Sequence, residues 1–375
     1  MRRTKKGVDT LKVYYPPVGI AHITSQLCDL FADRLCKSKE VRITCISQPK
    51  ADPHFGTMLV LFCCFALAKK IQEKYSIHTT VLVDILENSP ANEVHFNDIT
   101  YSLCLSHLLI SGKSAAEKYS KSLIDLSSWA SNRSGIGYDI RSYKEIQAQK
   151  NFRIGLTKIL DNRSAFIPIV SPSEHELRIR PICLECGLVD KGAKTVKIEK
   201  SASSFLISFI CPYHGLSTFS LDDPCCIIDC NTPIRTILRS YCFSKERDTS
   251  KIETIVVNGS DWAGAWMQRV YFDGLANLGV VGLEIPFNLF TPLVLDETGA
   301  KLSKTIYLEN GAYSNIDEAW LSAPKFISKF GEKGLFFLWN EIESWIDSPN
   351  KFFRDYSLSY FTHLFDDHQF DIGSY

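Results

Sequence analysis

The chain has 375 residues, 45% of them apolar and 22% charged, with 42 lysines plus arginines against 42 aspartates plus glutamates. This length exceeds what one hydrophobic core usually serves and predicts two or three structural units in one body, while the composition excludes a disordered or fibrous chain. Balanced charge excludes a global field that would draw the molecule to nucleic acid or to an anionic membrane, so any RNA contact has to come from a local patch.

In chain order, the basic start Met1 to Lys6 leads into Gly7 to Lys12 without the apolar stretch that a secretory signal needs. Residues 20–36 repeat apolar positions at helical spacing and predict an amphipathic helix that packs on a sheet. Val41 to Ser47 is β-branched and reads as a strand, followed through a turn by an apolar helix starting near Thr57. Its most apolar run, Phe55 to Ala68, is about 14 residues against the roughly 20 that span a bilayer, so a buried helix is expected. A second strand, His78 to Leu86, completes a βαβ unit of the kind that builds parallel sheets.

From Lys113 to Leu160 the pattern is helical and polar-rich, which predicts an inserted helical layer. Between Arg180 and Ser220 two cysteine-bearing turns flank Thr195–Glu199 and Phe205–Ile210, expected as a small β-hairpin. Glu253 to Val257 returns the chain to the sheet, and Asn315 to Leu364 is again helical, with Trp320, Phe326, Phe330, Phe336, Phe337, Trp339, Trp345, Phe352 and Phe353 as expected anchors. The expected units are therefore 1–112 and 223–310, the halves of a nucleotide-binding fold, with insertions at 113–175 and 176–222 and a helical segment at 311–375. Thirteen cysteines without an export signal predict reduced thiols in a cytoplasm.

Four clusters carry chemistry. Pro49-Lys-Ala-Asp-Pro-His54-Phe-Gly56-Thr57 lies between the first strand and its helix, where glycine allows a ligand near the backbone and a helix amino end favours negative charge. By itself it also fits a plain turn histidine; a second histidine-bearing stretch, Gly19 to Thr24 with His22, is set aside because no strand precedes it. Asn258-Gly259-Ser-Asp261-Trp262 ends the later strand, where an aspartate can meet ribose hydroxyls or simply cap an Asn-Gly turn. Lys301-Leu-Ser303-Lys304-Thr305 sits in a polar, glycine-bearing loop that brings two cations to phosphates or to solvent. Cys183-Leu-Glu-Cys186 and Cys211-Pro-Tyr-His214 present three sulfurs and one nitrogen, the closed tetrahedral set of a structural zinc, although Cys225, Cys226, Cys230 and Cys242 lie nearby.

In order and spacing these clusters resemble the catalytic core of class I aminoacyl-tRNA synthetases, most closely the class I lysyl-tRNA synthetases, over about residues 20–310. The resemblance implies an α/β fold, a Rossmann-like parallel sheet with helical and zinc-knuckle insertions and a short helical C-terminal segment. It implies ATP and Mg2+ with an amino acid as substrates, and Zn2+ on Cys183, Cys186, Cys211 and His214. It gives His54, Lys301 and Lys304 the charge of the leaving pyrophosphate, and Pro49, Gly56, Thr57, Gly259, Asp261 and Ser303 the nucleotide. The product would be an aminoacyl adenylate, its acyl group passing to a tRNA acceptor end or to a smaller acceptor.

Departures from that family narrow the reading. Val60 stands where the lysyl branch carries a glutamate for the substrate ammonium, and only some seventy residues follow the lysine loop in place of a large anticodon-gripping domain. Lysine is not expected as substrate, nor anticodon reading. Val60, Trp262 and Trp266 predict a neutral or aromatic pocket, with Asp84 as the alternative source of recognition. Two other functions remain open: a nucleotidyltransferase of the same fold, and a non-catalytic amino-acid- or RNA-binding paralogue, which Thr57 and Trp262 encourage.

Overall fold

The structure is a computed structural model and describes Ala32 and residues 34–173, 175–202, 204–303 and 315–366. Of the helix expected over 20–36, only Ala32 and Arg34 to Cys36 fall among these, and they are helical; the rest, His22 included, lies outside the described residues.

Five strands form the central sheet: β1 (Glu40–Ser47), β2 (Thr79–Ile85), β3 (Tyr138–Ser142), β4 (Ile252–Gly259) and β5 (Phe287–Thr291), in the order β5-β4-β1-β2-β3. All four pairings are parallel, with Ile43 beside both Ile255 and Val81. Chain connections leave β1 toward β2 on one side and β4 on the other. This is the doubly wound order whose reversal point opens a crevice at the strand ends.

Strand alternation decides what covers each face. Val41, Ile43 and Cys45, with Val81, Val83, Ile255 and Val257, meet helix α1 (Phe55–Tyr75) in the largest core. α1 is apolar nearly all round up to Ala68, and beyond Lys69 and Lys70 its Ile71 is also buried. By length and composition α1 could cross a membrane, but 61% of that stretch is buried inside the protein, as befits a core helix. Outside it pack α2 (Ala115–Ser134) and α4 (Ala323–Ile346), with Phe62 stacked on Trp129 at 5.2 Å between ring centres. On the opposite face, α3 (Thr232–Ser250) sets Phe243 against Leu82 and Val256.

Two elements depart from the sequence expectation. Tyr138–Ser142, within the stretch expected to be helical, pairs with β2 as the sheet edge, since its short polar-apolar alternation suits an edge strand. The expected hairpin is three-stranded, Lys197–Lys200, Phe205–Cys211 and Gly215–Ser220. Among the expected aromatic anchors, Trp320, Phe326, Phe330, Trp339, Trp345 and Phe352 are buried, whereas Phe336 and Phe353 are exposed. α4 kinks at Gly331, whose φ of 62° only glycine adopts readily, which interrupts the helical phase of the residues after it.

Candidate active site

The carboxyl ends of β1 and β4 open on a cavity of ≈ 500 Å³ at the reversal point of the sheet. His54, Gly56, Thr57, Val60, Gly259, Asp261, Trp262, Trp266, Lys301 and Ser303 all line it. Pro49 is buried beside the turn and does not line the cavity; Lys304 and Thr305 lie outside the described residues.

His54 is the N-cap of α1. Its Nδ1 accepts from the Gly56 N–H at 3.0 Å, so a neutral imidazole carries its proton on Nε2. A Cβ on Gly56 would stand 2.9 Å from His54 Cε1, which is why the ring can fold over this turn. The C-terminal helix fixes the turn from behind, Ala323 N–H donating to the Pro53 carbonyl at 2.7 Å.

At the end of β4 a Cβ on Gly259 would meet Asp261 Oδ1 at 2.6 Å, so glycine is what lets this carboxylate lie back over the strand end. Asp355 secures the neighbouring turn, accepting from Ser260 Oγ at 3.0 Å and from Leu293 N at 2.8 Å. Trp262 and Trp266 meet edge to face, 4.7 Å between ring centres. Beyond them the chain winds as a π-helix over Met267–Phe272, which places Tyr271 on the cavity wall. Its phenol donates to the Pro286 carbonyl at 3.1 Å, and burial pushes its pKa to about 12.

The lysine loop begins with a turn in which Asp296 N donates to Ala300 O at 2.8 Å, Gly299 supplying φ of 81°. Leu302 is 2% exposed and anchors the segment, leaving Lys301 Nζ at 2.6 Å from Asp261 Oδ2. A lysine and a carboxylate thus meet at the cavity.

Asp84 is placed differently from the recognition role considered for it. It is fully buried, does not line the cavity, and gives its carboxylate to Arg141 at 2.8 and 3.1 Å and to Arg239. Its effect on the site is indirect, through the orientation of Arg239. That arginine and Arg235, one turn apart on α3, line the cavity and were not foreseen. The available signal was two arginines four residues apart among Ile234, Ile237 and Leu238, a spacing that turns both toward the apolar side of a helix.

Away from the cavity, Cys183, Cys186, Cys211 and His214 converge, their four ligand atoms within 4.8 Å of one another. Cys183 and Cys211 Sγ each lie 3.5 Å from His214 Nδ1, and Cys186 and Cys211 Sγ are 3.6 Å apart. A tetrahedral ion with sulfur at about 2.3 Å and nitrogen at about 2.05 Å gives ligand separations of about 3.8 and 3.5 Å, close to these three distances, so the donor set suits a tetrahedral metal. Gly187 and Gly215, both at φ of 73°, turn the chain after each pair. Cys225, Cys226, Cys230 and Cys242 are outside the cluster, and burial pushes the Cys226, Cys230 and Cys242 thiols up.

No known family model matches the chain, and no curated protein matches it in sequence. Among solved structures it is similar to methionyl-tRNA synthetase of Mycobacterium tuberculosis bound by methionyl-adenylate, with 10% identity and a TM-score of 0.44 over 88% of this chain and 69% of that one. It is also similar to a Campylobacter jejuni protein assigned as an arginyl-tRNA synthetase, with 8% identity and a TM-score of 0.36 over 84% and 67% of the two chains. A third is a glutamate-tRNA ligase of Elizabethkingia meningosepticum in complex with its amino acid, with 11% identity and a TM-score of 0.34 over 72% of this chain and 53% of that one. The chain thus spans about half the length of the glutamate enzyme. At these identities the chemistry of the site has to follow from its own side chains.

Proposed function

We propose that the protein activates an amino acid with ATP as an aminoacyl adenylate, in a cytoplasm. The observation that carries this is the meeting, at one reversal-point cavity, of a helix amino end capped by His54, the Gly259–Asp261 strand end and Lys301 with Ser303. An adenosine ribose would bond Asp261 at the strand end, and the phosphates would lie toward the α1 amino end and the lysine loop. The amino-acid carboxylate attacks the α-phosphorus, and the bond to the β-phosphate breaks with its electron pair on pyrophosphate. His54 Nε2–H and Lys301 Nζ would meet that developing charge. Asp261 is the one carboxylate lining the cavity among the described residues, so Mg2+ would arrive held by the nucleotide phosphates. The acyl group then passes to a hydroxyl or amine, of a tRNA acceptor end or a smaller acceptor, with AMP leaving.

The cysteine cluster, remote from the cavity and with all four positions filled by protein, would hold a structural Zn2+. The catalytic reading is tested by exchange of labelled pyrophosphate into ATP, screened over amino acids with folded, zinc-loaded protein. Exchange with one of them is expected; ATP binding with no exchange by any would favour the non-catalytic paralogue.

A further inference from the structure

Beneath the cavity, four arginines face two aspartates. Asp84 is shared by Arg141 and Arg239, and Asp229 is paired with Arg180 while accepting from Asn88 Nδ2 at 3.1 Å. Arg235 is the fourth. It is 5% exposed and donates to two neutral atoms, the Cys230 carbonyl at 3.5 Å and Thr232 Oγ1 at 3.1 Å, with its guanidinium 5.8 Å from the centre of the Tyr143 ring; Asp229, already paired with Arg180, acts on it only from beyond ion-pair distance, and no carboxylate among the described residues forms an ion pair with it. Arg239 spends Nε and Nη2 on Asp84, Thr44 and the Cys45 carbonyl, and its Nη1 makes no hydrogen bond among the described residues. Both arginines line the cavity, and the other lysine or arginine lining it among the described residues, Lys301, is already matched by Asp261. A buried charge left in surplus is costly, and it signals an anion that arrives from outside.

That anion is not the triphosphate. α1, whose amino end would meet phosphate, packs on one face of the sheet, and α3, which carries Arg235, packs on the other. Nor is it the reacting carboxylate, which has to reach the α-phosphorus with its electron pair available and not held on a buried guanidinium. We propose that Arg235, seconded by Arg239, receives a second carboxylate, so that the substrate is a dicarboxylic amino acid; this rests on the activation reading above. Val60 and the two indoles then supply the apolar part of the lining, and α3 supplies its cations. A substrate ammonium would meet Arg235, which excludes lysine for a second reason.

The test uses two readouts on the full chain: calorimetric binding of L-glutamate, L-aspartate, L-glutamine, L-asparagine, L-lysine and L-tryptophan without ATP, and pyrophosphate exchange with the same six. One acidic amino acid should exceed its own amide by about a hundredfold or more, because a site built around a charged partner rejects the analogue that lacks it. Arg235→Gln should cut that ratio to below about tenfold with ATP affinity unchanged, and Arg235→Lys should restore part of it. Preference for an amide, lysine or tryptophan in the wild type, or no binding of either acid, overturns the proposal, whether or not a variant folds. An unchanged acid-to-amide ratio in Arg235→Gln also overturns it. Acid binding without exchange would instead remove the activation reading and leave Arg235 as the anchor of a bound dicarboxylic amino acid that is no substrate, and exchange with a neutral amino acid alone would overturn this inference and leave the activation reading standing.

Discussion

Lys301 Nζ sits 2.6 Å from Asp261 Oδ2, tying the lysine loop to the end of β4 across the mouth of the cavity. Their side chains are 43% and 31% exposed, so the pair contributes no more than about 1 kcal/mol to stability. A nucleotide would draw both partners away from each other, the lysine to phosphate and the aspartate to ribose. Lys301→Ala should therefore leave thermal stability nearly unchanged and lower the rate of pyrophosphate exchange by about a hundredfold, with amino-acid affinity retained. A loss confined to KM for the amino acid would place the lysine elsewhere in the reaction.

Gly259→Ala tests the placement of Asp261. At φ of −67° and ψ of 155° alanine is unstrained at this position, so the backbone should tolerate it. The new methyl would nevertheless stand 2.6 Å from Asp261 Oδ1 and 3.0 Å from a Leu293 methyl, so the carboxylate has to swing away. KM for ATP should rise by about tenfold or more at a nearly constant melting temperature. An unaltered KM would mean that Asp261 does not touch the ribose.

His54 caps α1 through Nδ1, and in the proposed reaction its Nε2–H would serve the leaving pyrophosphate, two tasks that a variant can separate. Asparagine is a good N-cap but its amide does not extend as far as Nε2. His54→Asn should thus keep stability within a few tenths of a kcal/mol and still lose activity, whereas His54→Ala should lose activity and about 1 kcal/mol as well. Denaturant titration beside exchange kinetics separates the two. Full activity in the asparagine variant would reduce His54 to a helix cap.

Cys183→Ser should release about one equivalent of zinc per chain and lower the melting temperature, because a closed metal site links metal binding to folding. Cys225→Ser, exposed and outside the cluster, should change neither. Elemental analysis and thermal melts of both variants, with and without a chelator, provide the check. A wild-type protein purified without chelator that carries no metal would remove zinc from the account.

The sequence alone determined what depends on local order: the βαβ start, the apolar helix α1, and the short motifs at His54, Gly259 and Lys301 whose spacing is set by turns and strand ends. It also showed the pairs Cys183/Cys186 and Cys211/His214, since each belongs to one tight turn and needs no knowledge of the rest of the fold. Tertiary structure alone decided what those turns face. Asp84 looks available in the sequence, but three side chains far apart along the chain, Arg141, Arg239 and Asp84 itself, close on one another through the pairing of β2 with β3 and the packing of α3. For Arg235 the sequence offered only its place beside Ile234, Ile237 and Leu238; that this side of α3 closes over the cavity depends on the sheet beneath it, because burial is a property of the packed body, not of the residue.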